Sequence, residues 1–360
     1  MALYGYTIGD ADISSATGNQ FPVYRFPLTL PRTPELVQVV NVPDIANPDL
    51  EGLGTNPLTG RVSAVNEPDS FGPPTIDPTL RFGNIDSPGP AVQFNGIYNT
   101  ATVTNRFGTE TGADFGRDFS RGTPGNRPVV LYALGANDDA NSVPGGSAEP
   151  VGSSLYKISV GGSTNPNPSP TVAPDTVNLI DSTPTDRERA GLSPTNGINN
   201  GFRDGDRDGI PNESNDGVLV AKYADGLAVD NLVLGPTRAF ASDFRTSDGD
   251  GNQLHKVDLL TGQLSAPIQI RTTGGTPTTY NLDSGLAFTQ ESPNGLFALL
   301  EDGTLLRFSN FTDELNAPGL RVLGGYSGGT ANGFVTVDIL TPVALPASGG
   351  EYEGFTIVNE

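Results

Sequence analysis

The sequence predicts an all-β protein: a single β-propeller of about five four-stranded blades, or six if one extra segment forms a blade, with its ring closed by the N- and C-terminal strands. Three observations predict this. First, 46 glycines and 31 prolines punctuate 360 residues, about a fifth of the chain against roughly an eighth in average usage. Short bursts of valine, leucine, isoleucine and phenylalanine fall between them, and no stretch sustains the 3.6-residue apolar period of a helix. Second, a pair of short strands recurs along the chain, the second of each pair built around a base. Third, a glycine-containing strand, "EYEGFTIVNE", stands at the C-terminus with no hairpin after it, while the N-terminus opens on a hairpin with no such strand before it. Joining the two completes one blade and removes an exposed edge.

Taken in order, the hairpins pair "LYGYTIG" with "VYRF" (23–26), "RVSAVNE" with "TLRF" (79–82), "VVLYALG" with "LYKI" (155–158), "RAFASDF" with "LHKV" (254–257) and "GLFALLEDG" with "LLRF" (305–308). Apolar and polar positions alternate in each, as in a strand that buries one face. Ahead of each hairpin an acid or amide, a glycine and an apolar residue recur in "LEGLGT", "FNGIYN", "ADGLAVD", "DSGLAF" and "YEGFTIV"; these are expected to be the innermost strands. Downstream, "LVQVVNV", "TVNLI", "PIQIRT" and "RVLGGY" read as fourth strands, and "ANGFVTVDIL" is the segment that leaves six blades open. Four strands per unit with independent loop lengths is the texture of propeller blades. Residues 1–360 are read as one domain, with a long inserted loop at about 161–217 that contains the low-complexity run "GGSTNPNPSPTVAPD" and the short helical candidate "TDRERAGL". A two-domain split at the proline-rich run is the weaker alternative, since the same texture lies on both sides.

Charge narrows the partners. Twenty bases against 41 acids give −21, so nucleic acid and anionic membrane surfaces would be repelled. No apolar run is long enough to span a bilayer, and "MALYGYTIGDAD" lacks the basic and apolar regions of a signal peptide. The absence of cysteine excludes a disulfide framework, a cysteine-based zinc site and a thiol nucleophile. The one serine in a G-x-S-x-G string, Ser327, lies in the glycine-rich "GGYSGGTANG", with no strand and helix read on either side to make it a nucleophile elbow. His255, the one histidine, lies inside the strand "QLHKVDL" and reads as a strand residue. "GGYSGGTANG" reads as a loop, and "TSDGDGNQ" as a hairpin turn.

One stretch calls for a cation. In "RDGDRDGIPNESND", Asp204, Asp206 and Asp208 alternate and Gly209 follows; such acids repel one another unless a positive ion lies between them. Calcium loops take oxygens at alternate positions with glycine at the sixth place. Counting from Asp204 puts the Ile210 carbonyl, Asn212 and Asn215 at the remaining ligand positions. The run "DGDRDGIPNE" also resembles the calcium-binding repeats of the thrombospondin type 3 kind. A second set of acids, Glu51, Asp225, Asp283 and Glu353, occupies matching places on the innermost strands, and Glu67, Asp243 and Glu301 end second strands. Carboxylates converging on one axis need a cation or shared protons; the alternative is that they cap backbone amides at strand ends.

"PDLEGLGTNPLTGRVSAVNE" resembles the acid-glycine strand and following acid-ended strand of phytase-like bacterial propellers, through Asp49, Glu51, Gly52 and Glu67; "YEGFTIVNE" repeats it with Glu353, Gly354 and Glu360. The resemblance implies a calcium-dependent phosphate-ester hydrolase or a noncatalytic relative. Three lysines and one histidine are few for holding phosphate. The sequence therefore points first to an extracellular, calcium-stabilised binding or structural module for a protein or neutral glycan. The alternatives are the calcium-dependent phosphoesterase and a cytoplasmic interaction propeller.

Overall fold

The computed structural model describes residues 2–9, 20–41, 49–67, 79–86, 94–97, 110–137, 152–158, 177–179, 224, 226–244, 252–324, 326–327, 330–331, 333–346 and 350–360. In chain order, β1 (Leu3–Gly9), β2 (Gln20–Pro27) and β3 (Glu35–Asn41) form a meander. It is followed by β4 (Asp49–Thr55), β5 (Val62–Glu67), β6 (Thr79–Asn84) and β7 (Phe94–Ile97), then by β8 (Glu110–Arg117), β9 (Val129–Asn137), β10 (Gly152–Ile158) and β11 (Val177–Leu179). A further meander comprises β12 (Gly226–Val229), β13 (Ala239–Asp243), β14 (Gln253–Val257) and β15 (Ile268–Thr272). The strands β16 (Ser284–Phe288), β17 (Leu296–Leu300) and β18 (Leu305–Ser309) lead into the short helix α1 (Phe311–Asn316). After it come a small hairpin, β19 (Tyr326–Ser327) and β20 (Thr330–Ala331), then β21 (Phe334–Ile339), which returns to pair with β18. The last strand, β22 (Tyr352–Asn359), pairs antiparallel with β1, matching Leu3 to Asn359 and Gly9 to Tyr352.

The first strands of these meanders follow one another in a ring. β22 lies against β4, β4 against β8, β8 against β12, β12 against β16, and β16 against β22. This cyclic order around an axis is the propeller arrangement, closed by the two ends of the chain. At the rim, β15 and β21 pair in parallel, so the last two meanders share one continuous sheet.

The core fills the spaces between neighbouring sheets. Tyr6, Ile8, Phe21 and Val23 pack against Leu50, Leu53, Val62 and Ala64. Phe240, Leu254 and Ile268 meet Leu286, Phe288 and Leu296, and Phe26, Phe355 and Ile357 meet Leu299 and Leu305 across the closure. Phe26 and Phe355 stack with centroids 6.1 Å apart, and each fully buried phenylalanine contributes about 2–3 kcal/mol.

The recurrent glycine has a steric cause. A Cβ on Gly354, whose φ is +61°, would stand 1.7 Å from the Glu51 carbonyl oxygen, and one on Gly285 would stand 2.0 Å from the Phe355 nitrogen. The glycine marks where the neighbouring inner strand passes, which corrects one reading of the sequence. "FNGIYN" is not an inner strand: its core is β7, paired with β6 at the rim, and the inner strand of the next unit is β8, whose Gly112 is among the residues lining the axial cavity. The Asn-Gly pair imitates the pattern without the neighbour that gives it meaning. Likewise, Arg321–Leu323 of "RVLGGY" form no strand. The fourth strand of that unit is β21, within the segment that left six blades open, and its partner is β18. The glycine-rich stretch read as a loop contains β19 and β20.

The bases of the second hairpin strands act as ties. Arg25 reaches Glu360 at 2.7 Å and Glu35 at 3.3 Å. Lys157 pairs with Asp118 at 3.0 Å, and Arg307 with Asp338 at 2.6 Å. Lys256 is fully buried and donates to the Ala317 carbonyl at 2.8 Å, where α1 ends; burial lowers its pKa to about 8.

Candidate functional site: an acidic mouth on the propeller axis

Each first strand runs away from one end of the axis and each second strand returns to it, so the start of the one and the end of the other meet at a common mouth. Glu51 near the start of β4, Asp283 just before β16, Glu353 near the start of β22 and Glu301 just after β17 all belong to this end. The backbone fixes the last three closely. The Glu301 N–H donates to the Asp283 carbonyl at 3.3 Å, and the Tyr352 N–H to the Glu301 carbonyl at 3.0 Å. Tyr352 is buried, and because strand side chains alternate, Glu351 and Glu353 share the opposite face.

Glu301, Glu351 and Glu353 each bring one carboxylate oxygen to within 4.8 Å of the others. Calcium holds its oxygens at roughly 2.3–2.6 Å, so oxygens on one ion stand at most about 5 Å apart, and these three satisfy that limit. Asp283 completes the group by hydrogen-bonding the Glu301 carboxyl. Burial, and then the negative Asp283 and Glu351, push the Glu301 pKa up to about 8. Two carboxyls in contact need a proton or a cation between them, and the raised Glu301 pKa is the proton-bound answer to that need.

Glu51 is nearly buried and points into the ring, where its Oε2 accepts the Thr111 N–H of β8. It therefore plays the amide-capping part allowed for in the sequence, while Asp283 and Glu353 join the cluster. Glu67 ends β5 opposite Asp49, but its side chain lies outside the described residues, as does Asp225. The calcium loop residues Asp204, Asp206, Asp208, Ile210, Asn212 and Asn215 also lie outside them, as do Asp248 and Asp250. His255 is a buried strand residue whose Nδ1 lies 3.0 Å from the Ser265 carbonyl.

Sequence reasoning missed Glu351 and Asp114. Glu351 had a visible signal: the E-x-E spacing with Glu353 puts both acids on one face. Asp114 sits inside β8, where its Oδ1 accepts the Phe115 N–H and its Oδ2 the Val229 N–H, both at 2.8 Å, and the Thr55 N–H also bonds it. Those donors favour the charged form, but complete burial outweighs them and raises the pKa to about 8. Asp114 thus knits β4, β8 and β12 together away from the mouth. Nearby, Gln290 donates to the Val229 carbonyl at 2.7 Å, and Asn231 to the Phe115 carbonyl at 2.8 Å.

No family model and no curated protein matches this chain. Among solved structures, it is similar to a periplasmic gluconolactonase of Pseudomonas aeruginosa (12% identity, 99% of each chain, TM-score 0.42). It is also similar to a GH43_1 enzyme of Xanthomonas citri (14% identity, 98% of this chain and 87% of that one, TM-score 0.36). A third is a putative glucose dehydrogenase of Thermus thermophilus (12% identity, 87% of this chain and 98% of that one, TM-score 0.32). At these TM-scores the likenesses carry no statement about activity, and the chemistry is read from the mouth itself.

Proposed function

We propose that this chain is a closed five-bladed β-propeller acting as a noncatalytic binding module, with a calcium ion held at its acidic mouth by Glu301, Glu351 and Glu353 beside Asp283. The observation that carries this reading is the convergence of three carboxylate oxygens within 4.8 Å of one another, around a carboxyl whose neighbours are themselves acids. The count of five rests on the five first strands in cyclic contact. A bound calcium keeps coordination positions open toward solvent, where the hydroxyls of a neutral glycan or the carbonyls of a protein loop can enter. A polyanion meets the uncompensated acids around it.

The loop at 204–215 is a second calcium site on this reading, within the insertion at about 161–217 of a single domain. A loop whose twelfth position is the neutral Asn215 in place of a two-oxygen carboxylate suits extracellular calcium concentrations. Calorimetric titration with calcium chloride tests the mouth. Glu301→Gln/Glu353→Gln should lose one binding event that Asp206→Ala/Asp208→Ala retains. Unaltered calcium binding in the mouth variant would remove the cation from the mouth.

A further inference from the structure

We propose that one ordered water sits on the propeller axis beneath the acidic mouth, hydrogen-bonded to Thr111 Oγ1 and to the Ala113 N–H. An inner strand pairs with its hairpin partner on one edge and turns the other edge toward the axis, where buried N–H and C=O groups still need partners.

Along β8 this can be followed residue by residue. The Asp118 N–H bonds the Pro128 carbonyl, and antiparallel pairs alternate between bonded and outward-facing. Even-numbered residues of β8 therefore bond to β9, and Thr111, Ala113 and Phe115 turn toward the axis. The Glu51 carboxylate takes the Thr111 N–H. Asp114 takes the Phe115 N–H, and Asn231 the Phe115 carbonyl. Between these two capped positions lies Ala113, on the wall of a cavity formed also by Thr111, Gly52, Ser284, Gly285 and Gly354.

The Thr111 Oγ1 is buried on a residue 7% exposed and has no hydrogen-bond partner among the described residues. Thr111 and Ala113, which carry the orphan hydroxyl and the axis-facing N–H, both line the same space. That space is about 10 Å³, at the lower end of the roughly 10–15 Å³ that a single water needs. A sugar or a phosphate does not fit, and a cation is disfavoured by an N–H pointing inward. Water accepts from Ala113 and exchanges a hydrogen bond with Thr111. The axis is then plugged at this level, and a ligand meets the propeller at its mouth instead of threading through it.

Two measurements test this. In a crystal structure of the native chain that shows ordered solvent, one peak should lie within hydrogen-bond reach of both Thr111 Oγ1 and the Ala113 nitrogen. An empty cavity, or an anomalous signal there in crystals grown with bromide or calcium, overturns the proposal. Thr111→Val keeps the shape and removes the hydroxyl. A watered site loses a bond, and Tm should fall by about 2 °C; an unchanged or higher Tm means that only an unsatisfied hydroxyl was removed, and contradicts it.

Discussion

At the scale of single residues, Asp114 and Glu301 are the two carboxyls among the described residues raised to about 8, and both weigh on how this fold responds to pH. Asp114 and Glu301 both bind a proton more tightly folded than unfolded. Their contribution is therefore fully present below the ordinary carboxylate range and is lost as pH rises through about 8. In a chelating buffer, Tm should decline between about pH 5 and pH 8.5, and Glu301→Gln should flatten part of that decline; a Tm that climbs over this window would contradict both assignments. Asp114→Asn introduces an N–H₂ among backbone N–H donors and should cost about 2–3 kcal/mol in a urea titration. A neutral result would mean that the three strands do not depend on that carboxyl. Of these two acids, Glu301 was legible as a strand-end carboxylate, whereas Asp114 was not: its role comes from β4 and β12, which are remote in sequence.

At the scale of elements, the recurring hairpins were legible because each carries its own evidence: alternation, a turn and a base. The base proved to be a tie to the next piece of structure, as for Arg25 with Glu360 and Arg307 with Asp338. The inner strands were read less well. Their glycine is selected by the backbone of the adjacent strand, so "FNGIYN" passed the pattern while β8, with threonine between its acid and its glycine, did not. The fourth strand β21 was obscured for a related reason, since α1 and the hairpin β19–β20 separate it from β18. Gly354→Ala should be among the most damaging small substitutions. It combines a left-handed backbone with a Cβ placed 1.7 Å from a carbonyl oxygen, and should cost at least about 3 kcal/mol by chemical denaturation. Gly275, with φ +84° and open space around it, supplies the control: alanine there should cost only the backbone strain, about 1–2 kcal/mol.

At the scale of the whole molecule, closure by the termini and the acidic mouth belong together. β22 is at once the last inner strand and the source of Glu353, with Glu351 just ahead of it. Deleting residues 351–360 would strip a buried face from β1 and open the ring, and such a chain should not show cooperative thermal unfolding. The phytase-like resemblance at 49–67 makes phosphate-ester hydrolysis the activity to measure. Phosphoryl transfer needs metals and fixed cations around the equatorial oxygens. Here Asp283, Glu301, Glu351 and Glu353 gather at the mouth, while Arg25, Lys157, Lys256 and Arg307 are engaged elsewhere. Turnover of an aryl phosphate with calcium should not exceed background, and calcium-dependent turnover abolished by Glu353→Gln would make the protein an enzyme.

The acidic mouth is tested most directly by an anomalous difference map from crystals grown with calcium. A peak bonded to Glu301, Glu351 and Glu353 at about 2.3–2.6 Å is the expected result. Saturating calcium with no peak at that mouth, and with the three carboxylates turned away from one another, would contradict it.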